Sequence, residues 1–556
     1  MENNSLLKNM FTGRRGRQLR EYLTAYTFIA PATILIFIFG IFPVGFALYV
    51  SLHRWRIRRS DMIDLRNYVN AIGNLAYVLV FFLGVGALFG VYFLIKTILQ
   101  SARENEDRPW WCIMPGIVYA FMAYAFLNWF YRLLPEVLDI AQKLRGVERT
   151  QSVFLQFLWE AFRADAVIPA WRILLWSLLG AIVVGILIYR FWRNPRNLQY
   201  QRNFALAFMA LAAGVGLLVY TYQQVSQAYA AAFAEGVDAG IWPQFISISG
   251  GVILLVLAWV LWQQASKCSS NGLFWLHIVA ALALLVGGWL LIGEIPTIIA
   301  SGDKNMWDGL KVTVFFSLGT VPFQLAIALF LSVLLFQKMP GSNFFRIVYF
   351  IPYVTPGIAS AAVFQQMFSN RQSAPINMFL RFLGIPAQQW LYEPRGIFTI
   401  LGEAIGWNLP NWAAGPSMAL GVIILHSIWT YVGYNTVIYL AGLGNISNEL
   451  NDQAEVDGAN GWQVFRHITF PLLSPTTYFL SLIAIIGTFK AFNTIWVLRS
   501  NLALGTTDTF SVTIFIEFFE KLRYGYASAL SFVLFAIILG LTFINNQTQG
   551  KRVFYG

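Results

Sequence analysis

Long apolar runs separated by short polar stretches set the frame of the chain. The first runs from Tyr22 to about Val50. Six more lie near 75–99, 111–131, 171–191, 203–222, 245–264 and 273–299, and five near 311–336, 344–368, 417–443, 472–497 and 525–546. A helix of about 20 apolar residues crosses the hydrocarbon core of a bilayer, so each run is long enough to span it. The pattern predicts an all-α polytopic membrane protein of twelve spans. Runs this long argue against a β-barrel, whose strands read as short alternating segments.

Crossings can be counted from a cytoplasmic amino terminus, where Lys8, Arg14, Arg15, Arg17 and Arg20 precede the first run. That count puts the polar loop 444–471 and the carboxyl tail on the cytoplasmic side. The basic turn Arg190, Arg193, Arg196 and Arg202 falls there too, and the loop 223–244, without Lys or Arg, falls outside. Arg54, Arg56, Arg58, Arg59 and Arg66, and the basic residues within 132–172, fall on the outer side, against the positive-inside rule, so the orientation rests on the short loops and the first span.

One polar segment stands out between two spans: Asn448 to Pro471, NELNDQAEVDGANGWQVFRHITFP. Helix formers with early acids suit a short helix up to Asp457. Gly458 can turn the backbone, and a second short helix follows through Trp462, Val464, Phe465 and Ile468. Pro471 cannot continue the hydrogen bonding and is expected to re-aim the chain into the membrane. The product is a knob with an apolar edge (Val456, Ala459, Trp462, Phe465) and charged flanks (Asp452, Glu455, Asp457, Arg466).

Composition narrows the class. Of 556 residues 58% are hydrophobic and 12% charged, against roughly 25% charged in soluble domains. The net charge of +12 suits cytoplasmic loops facing anionic membrane lipid, not nucleic acid. No metal-ligand spacing occurs, and Cys112 and Cys268 form no disulfide framework. No P-loop occurs, so the chain cannot supply its own ATPase.

The loop spacing (Asp452, Gln453, Ala454, then Gly458, then nine residues to Ile468, Phe470 and Pro471) resembles the coupling loop of ATP-binding-cassette importer permeases. That signature reads Glu-Ala-Ala, three residues, Gly, nine residues, Ile-x-Leu-Pro; here Asp452, Gln453 and Phe470 depart from it. The likeness extends to LKVTVFFSLGTVPFQLAIALFLSVLLFQ (310–337), FFRIVYFIPYVTPGIASAAVFQQMF (344–368), WTYVGYNTVIYLAGLGNI (429–446) and FRHITFPLLSP (465–475). At the front YLTAYTFIAPATILIFIFGIFPVGFALYVSL (22–52) and IDLRNYVNAI (63–72) share it. These segments resemble the carbohydrate-type permeases for maltose, glycerol phosphate and multiple sugars. The resemblance implies a type I ABC importer permease core of six helices with about six additional inserted transmembrane helices. The chain then divides into a cytoplasmic tail (1–21), a first core span with an external segment (22–72), an inserted region (73–300) and the remaining core (301–556).

The resemblance also implies roles and partners. Asp452, Gln453, Ala454, Glu455, Asp457, Gly458, Ala459, Trp462, Arg466, Ile468 and Pro471 would dock on an ATPase. The partners would be an ABC ATPase dimer, a second permease, an extracytoplasmic solute-binding protein and a sugar. The chain itself would bind no cofactor, with ATP and Mg on the ATPase subunits.

Polar residues inside hydrocarbon are functional candidates. Lys490 lies within the 472–497 run, in a stretch with Phe489, Asn493 and Trp496 that mixes aromatic faces with hydrogen-bonding groups, as sugar sites do. On the 417–443 run, Ser427, Tyr431, Tyr434 and Asn435 recur at helical spacing. Ser427, Tyr431 and Tyr434 match positions that line the sugar site in maltose-type permeases. Together these predict a permease for a sugar or oligosaccharide, with no catalytic residue and no metal site. Two alternatives remain. One is the same importer type for another solute, such as a phosphate ester or polyamine, to which Lys490 bears. The other is an integral-membrane transferase, which would need acids such as Glu393 or Glu403.

Overall fold

The computed structural model describes residues 14–56, 59–148, 150–191, 196–236, 240–267, 270–293, 295–296, 302–337, 340–548 and 550. The tail before Arg14, with Lys8, and also Arg58, Arg193 and Cys268, lie outside them. The chain divides into two compact units, one of residues 1–73 and 296–556, the other of residues 74–295.

The first unit opens with α1 (Arg14–Ile36), a π-helical turn at Phe37–Ile41, and α2 (Phe42–Ser51). A proline inside a helix removes a donor, and the wider turn ahead of Pro43 absorbs that loss. The Phe42 amide bonds to the Phe37 carbonyl in place of a closer one. A two-stranded hairpin, β1 (His53–Trp55) and β2 (Arg59–Met62), pairs His53 with Met62, and α3 (Arg66–Ile72) follows.

The second unit holds α4 (Leu75–Glu104), α5 (Ile113–Lys143), α6 (Gln151–Phe162), α7 (Val167–Phe191), α8 (Asn197–Ala234), α9 (Ile241–Ala265) and α10 (Asn271–Ile292). All but α6 are long and apolar enough to cross a membrane. Thr150 caps α6 through the Val153 amide. Within this unit Tyr200 donates to Asp107 at 3.0 Å, and Asn74 donates to Gln244 at 2.6 Å.

The chain re-enters the first unit with α11 (Lys304–Phe336), capped by the Asp303 carboxylate on the Asn305 amide at 2.9 Å. The Asp303 amide donates to the Ala71 carbonyl at 3.1 Å. Then come α12 (Ser342–Val354), α13 (Gly357–Met367), α14 (Pro375–Phe382), α15 (Ile397–Ala404) and α16 (Met418–Gly444). The loop helices α17 (Asn448–Val456), α18 (Gly461–Val464) and α19 (Phe470–Leu472) lead to α20 (Ser474–Phe489), α21 (Asn493–Leu498), α22 (Phe510–Phe515) and α23 (Tyr524–Thr548).

Two runs read as single spans are broken. The 344–368 run is α12 and α13, bent by 93°. Pro356 lies at the bend and holds Thr355 extended, as the residue before a proline tends to be. The 472–497 run ends its helix at Phe489 and restarts at Asn493. No proline or glycine falls between, and Phe492 at the break packs on Phe515 at 4.7 Å and Trp496 at 5.6 Å. Nine helices among the described residues are long and apolar enough to span, and two pairs bent at a short break, α12 with α13 and the segment Gly461–Leu472 with α20, qualify if each is taken as one span.

A buried apolar cluster of Phe316, Leu391, Leu420, Ile423, Ile495 and Leu498 ties α11, α16 and α21 together. The helices α12 and α16 cross with their backbones nearly touching, leaving no space for a Cβ on Gly433 beside the Tyr349 carbonyl oxygen.

Candidate functional site

A cavity of about 400 Å³ opens among α11, α12, α16, α20 and the break before α21. Helix α20 sends Leu480, Ile483, Ala484, Gly487 and Thr488 to it, a stripe set by the 3.6-residue period, and Lys490 follows where the helix stops. Helix α16 contributes Ser427, Thr430, Tyr431, Tyr434 and Asn435. Tyr353 of α12 stacks on Tyr434 at 4.5 Å and meets Tyr431 edge-on at 5.9 Å, giving the cavity an aromatic wall. His426, 2% exposed, shares a 3.0 Å hydrogen bond between its Nε2 and Ser360 Oγ.

Six of the eight residues singled out for binding line this cavity: Ser427, Tyr431, Tyr434, Asn435, Lys490 and Asn493. The structure places the other two elsewhere. Phe489 is buried, and its carbonyl accepts from Ser511 Oγ at 3.0 Å. Trp496 packs on Phe515 at 4.6 Å beneath the Arg499 guanidinium, 4.8 Å from its ring. The break at 490–492 redirects everything beyond it, so a face counted along one continuous helix does not hold there.

Lys490 is exposed to the cavity and forms no ion pair among the described residues. Gln324, Tyr353 and Thr488 line the cavity without having been singled out from the sequence. Gln324 sits inside an apolar run, and a polar side chain at that depth was the available signal.

In the loop, α17 is capped by Ser447 on the Glu449 amide, and Gly458 takes a left-handed φ of +81°. Asn460 and Gln463 then form a reciprocal cap at 2.8 and 2.9 Å, which starts α18. Asp452, Gln453, Glu455, Asp457, Gly458, Trp462 and Arg466 are exposed, whereas Ala454, Ala459, Ile468 and Pro471 are half-buried. Val456 is 87% exposed, and Trp462 stacks on Phe465 at 5.5 Å, so the knob presents an apolar tip between charges. Pro471 does not itself turn the chain. A π turn over Phe465–Thr469 absorbs its missing donor, and the 60° bend comes after Leu472.

In the 370–416 loop both Glu393 and Glu403 are held by Arg395, each at 3.0 Å. The guanidinium beside Glu393 holds its carboxyl below the usual carboxylate range, chiefly by hydrogen bonding. Among the described residues no group of acids, histidines and cysteines could hold a metal ion.

Long apolar helices around a cavity lined by aromatic and polar side chains give the architecture of a multi-pass membrane protein. Residues 321–549 match the family model described as binding-protein-dependent transport system inner membrane component. The probable ABC transporter permease protein YesP of Bacillus subtilis is 32% identical over 46% of this chain and 76% of its own length. The lactose transport system permease protein LacF of Rhizobium radiobacter is 28% identical, over 45% and 78%. The sn-glycerol-3-phosphate transport system permease protein UgpA of Rhizobium meliloti is 30% identical, over 46% and 79%. The chain belongs to this family: it is a multi-pass inner-membrane permease subunit of the carbohydrate-type ABC importers.

Proposed function

We propose that the cavity carries a sugar or oligosaccharide into the cell, and that the loop 448–471 couples its opening to ATP hydrolysis on a separate ATPase dimer. A second permease and an extracytoplasmic solute-binding protein would complete the machine, with ATP and Mg bound by the ATPase. The observation that carries this reading is the convergence of Ser427, Tyr431, Tyr434, Asn435, Lys490 and Asn493 on one cavity beside the stacked Tyr353. Aromatic planes suit the C–H faces of a sugar and the polar groups suit its hydroxyls. Coupling requires that ATP binding favour one of two states through a rigid contact, and the exposed, capped knob offers such a contact.

The test is uptake into proteoliposomes holding the assembled importer, with labelled lactose, maltose, trehalose and glycerol 3-phosphate outside. ATP-driven accumulation of a neutral sugar is expected, and failure of all three sugars would refute the substrate reading. Gly458→Pro cannot adopt a φ of +81°, so it should abolish accumulation while leaving the cavity unaltered. Unchanged accumulation would refute the coupling role. A phosphate ester is the second reading, favoured by Lys490, whose ammonium group has no acidic partner among the described residues. Uptake of glycerol 3-phosphate alone would select it.

A further inference from the structure

Two side chains on the cavity wall are buried with unmet hydrogen-bonding capacity. Gln324, 3% exposed on α11, lines the cavity, and its Oε1 accepts no hydrogen bond from the protein. Asn435, 4% exposed on α16, lines the same cavity, and its Nδ2 donates none. Buried polar atoms are nearly always partnered, because an unpaired one has given up its hydrogen bond to water for nothing. The two orphans are of opposite kind: one needs a donor and the other an acceptor.

We infer that Gln324 and Asn435 form the specificity-determining end of the cavity, and that a neutral hydroxylated group of the transported molecule occupies it. This rests on the cavity being the substrate path. A hydroxyl donates once and accepts twice, so one hydroxyl, or two neighbours on a sugar ring, meets both orphans. A phosphate group, mostly dianionic at neutral pH, offers acceptors only, and an ammonium donors only, so neither meets both amides as they stand.

Thr320, one turn before Gln324, is fully buried with its own Oγ1 unpartnered, and Thr436, next to Asn435, donates to the Val432 carbonyl at 2.8 Å. A site built to pair a hydroxyl rejects an analogue lacking it far more strongly than an apolar pocket rejects a size change.

The experiment uses the assembled importer in proteoliposomes, with lactose, maltose and trehalose and their monodeoxy derivatives. For the sugar carried, removing the hydroxyl read at this end should raise KM about tenfold, the loss of one buried hydrogen bond to the site. Gln324→Leu should show that rise with the parent sugar and no further rise with the deoxy derivative. A role confined to helix packing would leave the deoxy penalty intact in the variant, and that result overturns the inference. Gln324→Met, of similar length and without the amide, serves if the leucine variant does not assemble; undiminished sugar uptake with a full deoxy penalty in it overturns the inference equally. Both outcomes presuppose uptake of a sugar by the unaltered importer, so failure of the substrate reading shows itself separately, as absence of that uptake.

Discussion

Thr488 Oγ1 donates to Ser317 Oγ at 2.8 Å, joining α20 to α11 two residues before the break at Lys490. Both side chains are buried. The bond fixes the end of α20 against the helix that carries Gln324, so the two sides of the cavity share one frame. Thr488→Val keeps the shape and removes the hydroxyl. It should lower stability by about 1 kcal/mol, seen as a reduced thermal midpoint of the purified permease in detergent.

The Gly433 crossing leaves no room for a methyl group, because its nearest neighbour would be backbone that cannot swing aside. Gly433→Ala should cost about 3 kcal/mol, at the upper end of overpacking effects. It should also push α12 outward and disturb the stack of Tyr353 on Tyr434. The thermal midpoint and sugar KM should worsen together, whereas Gly487→Ala, with open space around its Cα, should leave the midpoint unchanged.

Glu517 is 1% exposed and held by Lys521 at 2.7 Å and Arg523 at 3.1 Å. A buried charge that loses a partner is strongly destabilising, by about 3 kcal/mol. Arg523→Met should show that loss. Adding Glu517→Gln should recover most of it, since the charge to be satisfied is then gone, and a double-mutant cycle measures the coupling.

Arg395 depresses the Glu393 carboxyl, so the pair's contribution is present above the ordinary carboxylate range near 4 and is lost as pH falls through the lowered value. Hydrogen-exchange protection over residues 393–417, taken relative to the intrinsic exchange rate at each pH, should be high at neutral pH and lower in acid below that range. Arg395→Gln should be weakly protected at both, because the restraint is already absent.

The sequence was most legible where periodicity and chemistry coincided. Ser427, Tyr431, Tyr434 and Asn435 share a helix face by spacing alone, and Lys490 is conspicuous as a charge within an apolar run. The six membrane helices of the second unit follow from hydrophobic length. What stayed hidden was local geometry set by tertiary packing. The bend at Pro356 had a proline to announce it, but the break at 490–492 carries no such mark: there Phe492 packs on Trp496 and on Phe515, the latter distant in sequence. Phe489 and Trp496 were assigned to the cavity for want of that break. The Asn460 and Gln463 cap carries the N-x-x-Q spacing of a helix start, and Gln324 was a polar side chain at membrane depth; both signals were there to be read.

The hydrogen bond from the Asp303 amide to the Ala71 carbonyl has a consequence for parity. Its two ends must lie on the same face of the bilayer, so the chain between them crosses an even number of times. The six long helices of the second unit satisfy that arithmetic. Helices can therefore be gained or lost here only in pairs: an odd change would invert every later segment, the loop 448–471 among them, relative to the first span.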